Sequence, residues 1–249
     1  MEKEEFDTSD LAWMTYELFY GEIFNIITDS SGRKTSMLHI GDEDIAVSGD
    51  TDFNFGPGWS NSIFNKFKGY LSEIPDDFKK QYNSRLEKCK LLYKTIVNIS
   101  LMPQSGNLQL VKSGVGNDRF DTYIWALNSY YEGETSLLFN RATFQNTKTL
   151  KNYIDEFKNY PGDPIQQYCH KIYGIPIGSQ LVDELILSGK EAIDSPERVI
   201  DYMNLAYKFW RQKLRYIKPL VEKESPLKKE NPLKEEIKKV EKILNSWFE

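Results

Sequence analysis

Residues 24–48 read FNIITDSSGRKTSMLHIGDEDIAVS, and this stretch decides the fold class. Three short runs, 24–28, 35–40 and 45–48, are rich in aliphatic and β-branched side chains. They are separated by Asp29-Ser30-Ser31-Gly32 and Gly41-Asp42-Glu43-Asp44. Apolar runs broken by glycine- and aspartate-rich turns predict an antiparallel meander. A fourth run, TIVNISLM at 95–102, is bounded by Pro103 and reads as a buried strand. Between and beyond these strands the apolar spacing becomes helical. Trp59, Ile63, Phe67, Tyr70 and Leu71 recur at that spacing over 59–74, and further helices follow Pro75 at 76–93 and at 118–131, 145–157, 164–173 and 180–187. Ser195-Pro196-Glu197 supplies a cap, a first-turn proline and an early acid, which together open a helix running to about residue 218. Pro219, Pro226 and Pro232 then punctuate a charged linker before an amphipathic helix over 233–248. The expected fold is α+β: a small antiparallel sheet in the N-terminal half packed by helices, and a mostly helical C-terminal half. Residues 1–194 form the core domain in this reading, and 195–249 a helical extension with a basic tail.

With 249 residues, 40% of them hydrophobic and 28% charged, one core buries enough apolar surface to need no staple. The two cysteines, Cys89 and Cys169, lack CxxC spacing, so neither a disulfide framework nor a zinc site is indicated. The acidic start, Met1 to Asp7, lacks the basic region of a secretory signal, and no apolar run reaches membrane-spanning length. A cytoplasmic protein is expected. The net charge of −5 is unevenly spread, since residues 208–242 carry twelve Lys/Arg against six Glu. The rest of the chain is therefore acidic, which argues against broad nucleic-acid binding by the body.

Three places offer chemistry. Cys169 and His170 are neighbours, but adjacent helical residues point about 100° apart and form no dyad with each other. The run from Asp50, with Asp52 and Asn54 at alternate positions, has the oxygen spacing of a calcium loop. Its glycine, Gly56, falls one place late and Asn61 stands where a bidentate glutamate belongs, so it reads as a turn before the next helix. The third place is Ser113-Gly114-Val115-Gly116-Asn117, leading into a helix that opens Asp118-Arg119-Phe120-Asp121. A glycine-rich turn at a helix start can hold phosphate. Asp118 and Asp121 already put negative charge there, and no lysine takes the Walker position. Two readings stay open. Asp121 and Arg119 pair with each other as architecture, or Asn107, Asp118, Arg119, Asp121 and Arg141 line a pocket in which the arginines meet an anion.

The strand ending at Leu101-Met102-Pro103, the segment Asn117-Asp118-Arg119-Phe120-Asp121 and the helix ending Tyr130-Tyr131 resemble an uncharacterised bacterial family also seen in phages. That family shows a hydrophobic strand ending in proline, a polar loop and an Asp-Arg-(Phe/Met)-Asp helix. The resemblance extends over roughly residues 20–175 and implies a recurring domain, without an activity, cofactor or ligand. The expected function is thus an intracellular binding or regulatory protein, of phage or mobile-element type, taking a small anionic ligand or a protein partner. One alternative is a metal-dependent hydrolase of phosphate esters, with Asp118 and Asp121, together with Asp50 and Asp52, holding a divalent ion. Another is a scaffold acting through its C-terminal helix.

Overall fold

The computed structural model describes residues 9–28, 30–32, 34–103, 112, 118–134, 138, 147–224 and 231–249. A helix, α1 (Asp10–Tyr20), precedes the strands. The strand pattern alone does not announce it. Its signals were present: Ser9 caps it by accepting from the Ala12 amide, and Ala12, Thr15, Tyr16, Phe19 and Tyr20 are its buried face at helical spacing. Strands β1 (Phe24–Thr28), β2 (Lys34–Ile40), β3 (Glu43–Thr51) and β4 (Ile99–Pro103) form one antiparallel sheet in the order β1-β2-β3-β4. Leu38 faces Ile45 and Ser36 faces Val47, so the alternate residues Leu38, Ile40, Ile45 and Val47 share the buried side. The chain is α+β, with the sheet in its N-terminal half and helices dominating the C-terminal half.

Two strand boundaries move from where composition put them. β3 extends to Thr51, so Asp50 belongs to a strand paired with Ser100 and not to a loop. At the other end, Ile96–Asn98 is a tight 3-10 turn and β4 begins only at Ile99. The cause is Asn98, fully buried. Its side-chain oxygen accepts from the Phe53 amide (2.9 Å) and the Trp210 indole (2.8 Å), while its nitrogen donates to the carbonyls of Phe53 (2.8 Å) and Tyr93 (3.0 Å). The side chain thus acts as a peptide group, and with the Asp52 amide donating to the Asn98 carbonyl it carries the β3–β4 pairing past the end of the ladder. The outward edge of β4 is closed by helices. The Leu101 amide donates to the Tyr20 hydroxyl (3.0 Å), and Lys213 donates to the Ile99 carbonyl (2.5 Å).

The further α-helices are α2 (Pro57–Glu73), α3 (Asp76–Tyr93), α4 (Phe120–Tyr131), α5 (Thr147–Glu156), α6 (Pro164–Tyr173), α7 (Gln180–Gly189), α8 (Pro196–Glu224) and α9 (Pro232–Asn245). Pro219 lies inside α8 instead of ending it, although proline removes one ladder hydrogen bond. Burial on both sides of the proline outweighs that loss, since Leu214, Ile217 and Val221 are all in the core. Phe209 and Trp210 of α8 pack within 5.4 and 6.0 Å of the Phe53 ring, with Phe120 at 5.0 Å. No break in packing therefore falls at residue 194, and one hydrophobic cluster runs from Ala12 to Trp247. The sequence boundary rests on the helix opening at Ser195-Pro196-Glu197, and a helix start by itself marks no break in packing. The tail helix α9 lays Leu233, Ile237, Val240 and Leu244 against its own domain, touching α8, α3 and α1. Among the described residues no helix is long and apolar enough to cross a membrane.

Candidate functional site

The end of β3, the following turn and the start of α4 converge, and three polar assemblies occupy the place where they meet. The innermost is Lys213, reaching from α8. Its ammonium lies 2.8 Å from Asp52 Oδ2 and 2.6 Å from Ser100 Oγ, and Ser100 in turn donates to Asp52 Oδ2 at 3.0 Å. All three side chains are buried. Burial pulls the lysine below its usual value and the Asp52 carboxylate opposes the pull. Because the buried ammonium, hydroxyl and carboxylate satisfy one another, this is a fastening between α8 and the sheet.

The second assembly centres on Lys112, whose ammonium is buried 2.7 Å from Asp50 Oδ2 and 3.4 Å from Asp118 Oδ1 and also donates to the Thr51 carbonyl. Burial pushes the Asp50 carboxyl up against the opposing pull of Lys112. Burial acts downward on Lys112, yet Asp50 and Asp118 together hold it above the ordinary lysine value. Asp118 has a left-handed backbone (φ 64°), which aspartate tolerates better than most residues, and this turns its carboxylate towards Lys112 and the Asn54 amide. Asp50 and Asp52 are thus spent on two lysines, and a calcium loop is not what their alternation builds.

The third assembly is the Arg119–Asp121 pair. Arg119 Nε and Nη2 donate to the two oxygens of Asp121 at 3.0 and 2.5 Å, and the guanidinium also donates to the carbonyls of Ser188 (3.0 Å) and Glu191 (2.7 Å). Asp121 is wholly buried and also accepts from the Ser188 hydroxyl (2.7 Å) and the Thr122 amide (2.9 Å). Four of the five guanidinium N–H groups are consequently used. The pair clamps the start of α4 onto the last turn of α7. It also takes the amides that a phosphate at this helix end needs, since Thr122 N goes to Asp121 and Phe120 N faces the Tyr202 hydroxyl at 3.4 Å.

Gly189 explains why the clamp can close. A Cβ added there comes within 2.7 Å of the Asp121 carbonyl carbon and 2.8 Å of Trp125 Cβ, so α7 lies directly on the α4 backbone. Gly189→Ala is expected to cost about 1–3 kcal/mol through overpacking. Urea denaturation checks this, and a midpoint equal to wild type contradicts the close approach.

Beside the clamp lies an open cleft of about 700 Å³ between α2, α4 and the segment after α7. Trp59 and Trp125 wall it, Lys66, Lys190 and Arg119 supply positive charge, and Asn54, Thr122 and Glu191 supply neutral and negative polar groups. Glu191 is neutralised in part by Arg198, and Lys66 donates to the Ile193 carbonyl at 2.7 Å. Of the residues expected from sequence, Arg119 borders the cleft, Asp121 is sealed beneath it and Asp118 joins the Lys112 assembly. Asn107 and Arg141 lie outside the described residues, as does the glycine-rich run 113–117. Asp118 and Asp121 therefore do not converge as a metal-binding pair, and among the described residues no group of three or more His, Cys, Asp or Glu is placed to hold a metal ion. Cys169 and Cys89 are fully buried, which pushes both thiols up, and His170 faces the Ile175 carbonyl.

Sequence reasoning missed the lysines. Lys213 carried a legible signal, because it falls within the apolar stripe Ala206, Phe209, Trp210, Ile217 of α8, where an unpaired charge is intolerable. No family model matches the chain, and no curated protein or solved structure matches it.

Proposed function

We propose that this is a binding protein that takes a small anionic ligand with a flat apolar body in the cleft between α2, α4 and the segment after α7. The observation that carries this reading is the lining: two half-buried tryptophans and three cations around a volume of about 700 Å³. Pockets for small organic ligands typically span roughly 300–1,000 Å³ and combine apolar walls with a few fixed polar groups. Indole faces favour aromatic stacking and cation contact, while Lys66 and Lys190 at the rim favour negative charge. The floor is held rigid by the Arg119–Asp121 clamp, and preorganisation limits the entropy lost on binding. Arg119 keeps a single N–H for a ligand, so the anion's main contacts are the two lysines. The buried carboxylates, each engaged by a lysine or an arginine, lend no support to a metal-dependent hydrolase.

Tryptophan fluorescence titrated with nucleoside monophosphates, sugar phosphates and aromatic carboxylates tests the proposal. A saturable change is expected with a member of that panel, weakened at least tenfold by Lys66→Glu combined with Lys190→Glu while the melting temperature holds. Absence of a saturable response to any panel member, or one indifferent to the double substitution, defeats it.

A further inference from the structure

A different hollow holds a buried guanidinium that has no ion-pair partner among the described residues. On α3, Lys80, Gln81, Ser84 and Arg85 share one face, and the turn after α9, Trp247 to Glu249, lies opposite. Between them is a cavity of about 240 Å³. Arg85 is only 7% exposed and lines it. Its Nε has no hydrogen-bond partner among the described residues, and no carboxylate there forms an ion pair with it. The Phe248 ring lies 5.7 Å from the guanidinium carbon, and the Asp201 carboxylate acts on the charge only from beyond ion-pair distance, which leaves Nε unsatisfied. Buried guanidinium groups without acceptors are costly enough that native proteins pair them.

We infer that this hollow is an oxyanion site in which Arg85 holds a phosphate group, free or carried as a monoester. The planar fork of arginine matches two oxygens of such a group at once. The Ser84 hydroxyl and the Gln81 amide add neutral donors, and Lys80 adds a second positive charge at the mouth. Asp77 and Glu249 also line the cavity; like Lys80 they are exposed, so solvent screens all three charges far more than it screens the buried arginine. Burial also pulls the guanidinium below the ordinary arginine value, which an oxyanion seated on it reverses. The room available is several times the ~30 Å³ share of a water molecule, enough for a phosphoryl group with little attached to it.

The test is a set of thermal melts of the full chain in chloride, inorganic phosphate and glycerol phosphate at matched ionic strength. Phosphate is expected to raise the melting temperature by roughly 5 °C or more at a hundredfold excess over its dissociation constant. Whichever of the free and esterified forms acts at the lower concentration identifies the natural source. Arg85→Met is expected to melt no lower than wild type in chloride, having lost a buried charge with no ion-pair partner, and to lose the phosphate response. Gln81→Glu, one helical turn from Arg85, supplies a carboxylate in place of the ligand; it is expected to raise the melt in chloride and to abolish the response. Should Arg85→Met fail to fold, Gln81→Glu decides alone. A wild-type melt equal in phosphate and chloride overturns the inference, as does a phosphate response that survives in Gln81→Glu.

Discussion

Between pH 10 and 12 this protein is expected to unfold in one step, with phenolate absorbance rising as far-UV ellipticity collapses. Tyr20, Tyr123, Tyr153, Tyr168, Tyr173 and Tyr202 are buried in the core. Burial raises each of them above the ordinary value of 10.0, most of them far above it. A group whose folded pKa is raised stabilises the fold fully below the unfolded value and loses that contribution as pH climbs past it. The unfolded chain therefore ionises these six from about pH 10 while the native chain cannot. Each contributes a loss of about 1.4 kcal/mol per pH unit, so six together remove about 8 kcal/mol per unit. Lys112, raised above 10.5, acts with the same sign at higher pH, and Lys213, lowered, acts against it with a single proton. Against a typical stability of roughly 5–15 kcal/mol, the fold is gone within two units. A smooth phenol titration centred near pH 10 with ellipticity intact contradicts the buried tyrosine cluster.

Lys213→Met is expected to destabilise the protein by about 3–5 kcal/mol, because it leaves Asp52 buried without its cation. Among the described residues the Ser100 hydroxyl is then the remaining hydrogen-bond donor to the Asp52 carboxylate, and α8 loses its hydrogen bond to the outward edge of β4. Neutralising the partner as well, in Asp52→Asn with Lys213→Met, is expected to restore most of the loss, since removing both charges of a buried pair costs far less than removing one. Urea denaturation of the four members of the cycle gives the coupling directly. A single Lys213→Met variant within about 1 kcal/mol of wild type shows that the ammonium does not bind the helix to the sheet.

The two lysine assemblies and the arginine clamp divide the candidate site into parts that were legible and parts that were not. The Asp118–Asp121 segment stood out in sequence because opposite charges crowd a helix start beside glycines. Whether such a pair is architecture or a pocket depends on what α7 brings to it. Gly189, Ser188 and the Glu191 carbonyl come from about seventy residues away and settle Arg119 and Asp121 as a clamp. Trp59, Lys66, Trp125 and Lys190 sit on three separate elements, and no spacing along the chain announces that they share a cleft.

Local patterning by itself determined the meander of β1 to β3, helices such as 76–93 and 164–173, and the α+β class. Those features depend on which residues alternate or recur within a few positions, and that information is local. Only the tertiary structure decided that α8 runs through the core, that β4 begins after a turn shaped by Asn98, and which charge neutralises which. The reason is physical: burial sets the energy of a charge or an amide, and burial is a property of the whole packed chain. A lysine reads the same in sequence whether it meets water or, like Lys213, a carboxylate in the interior.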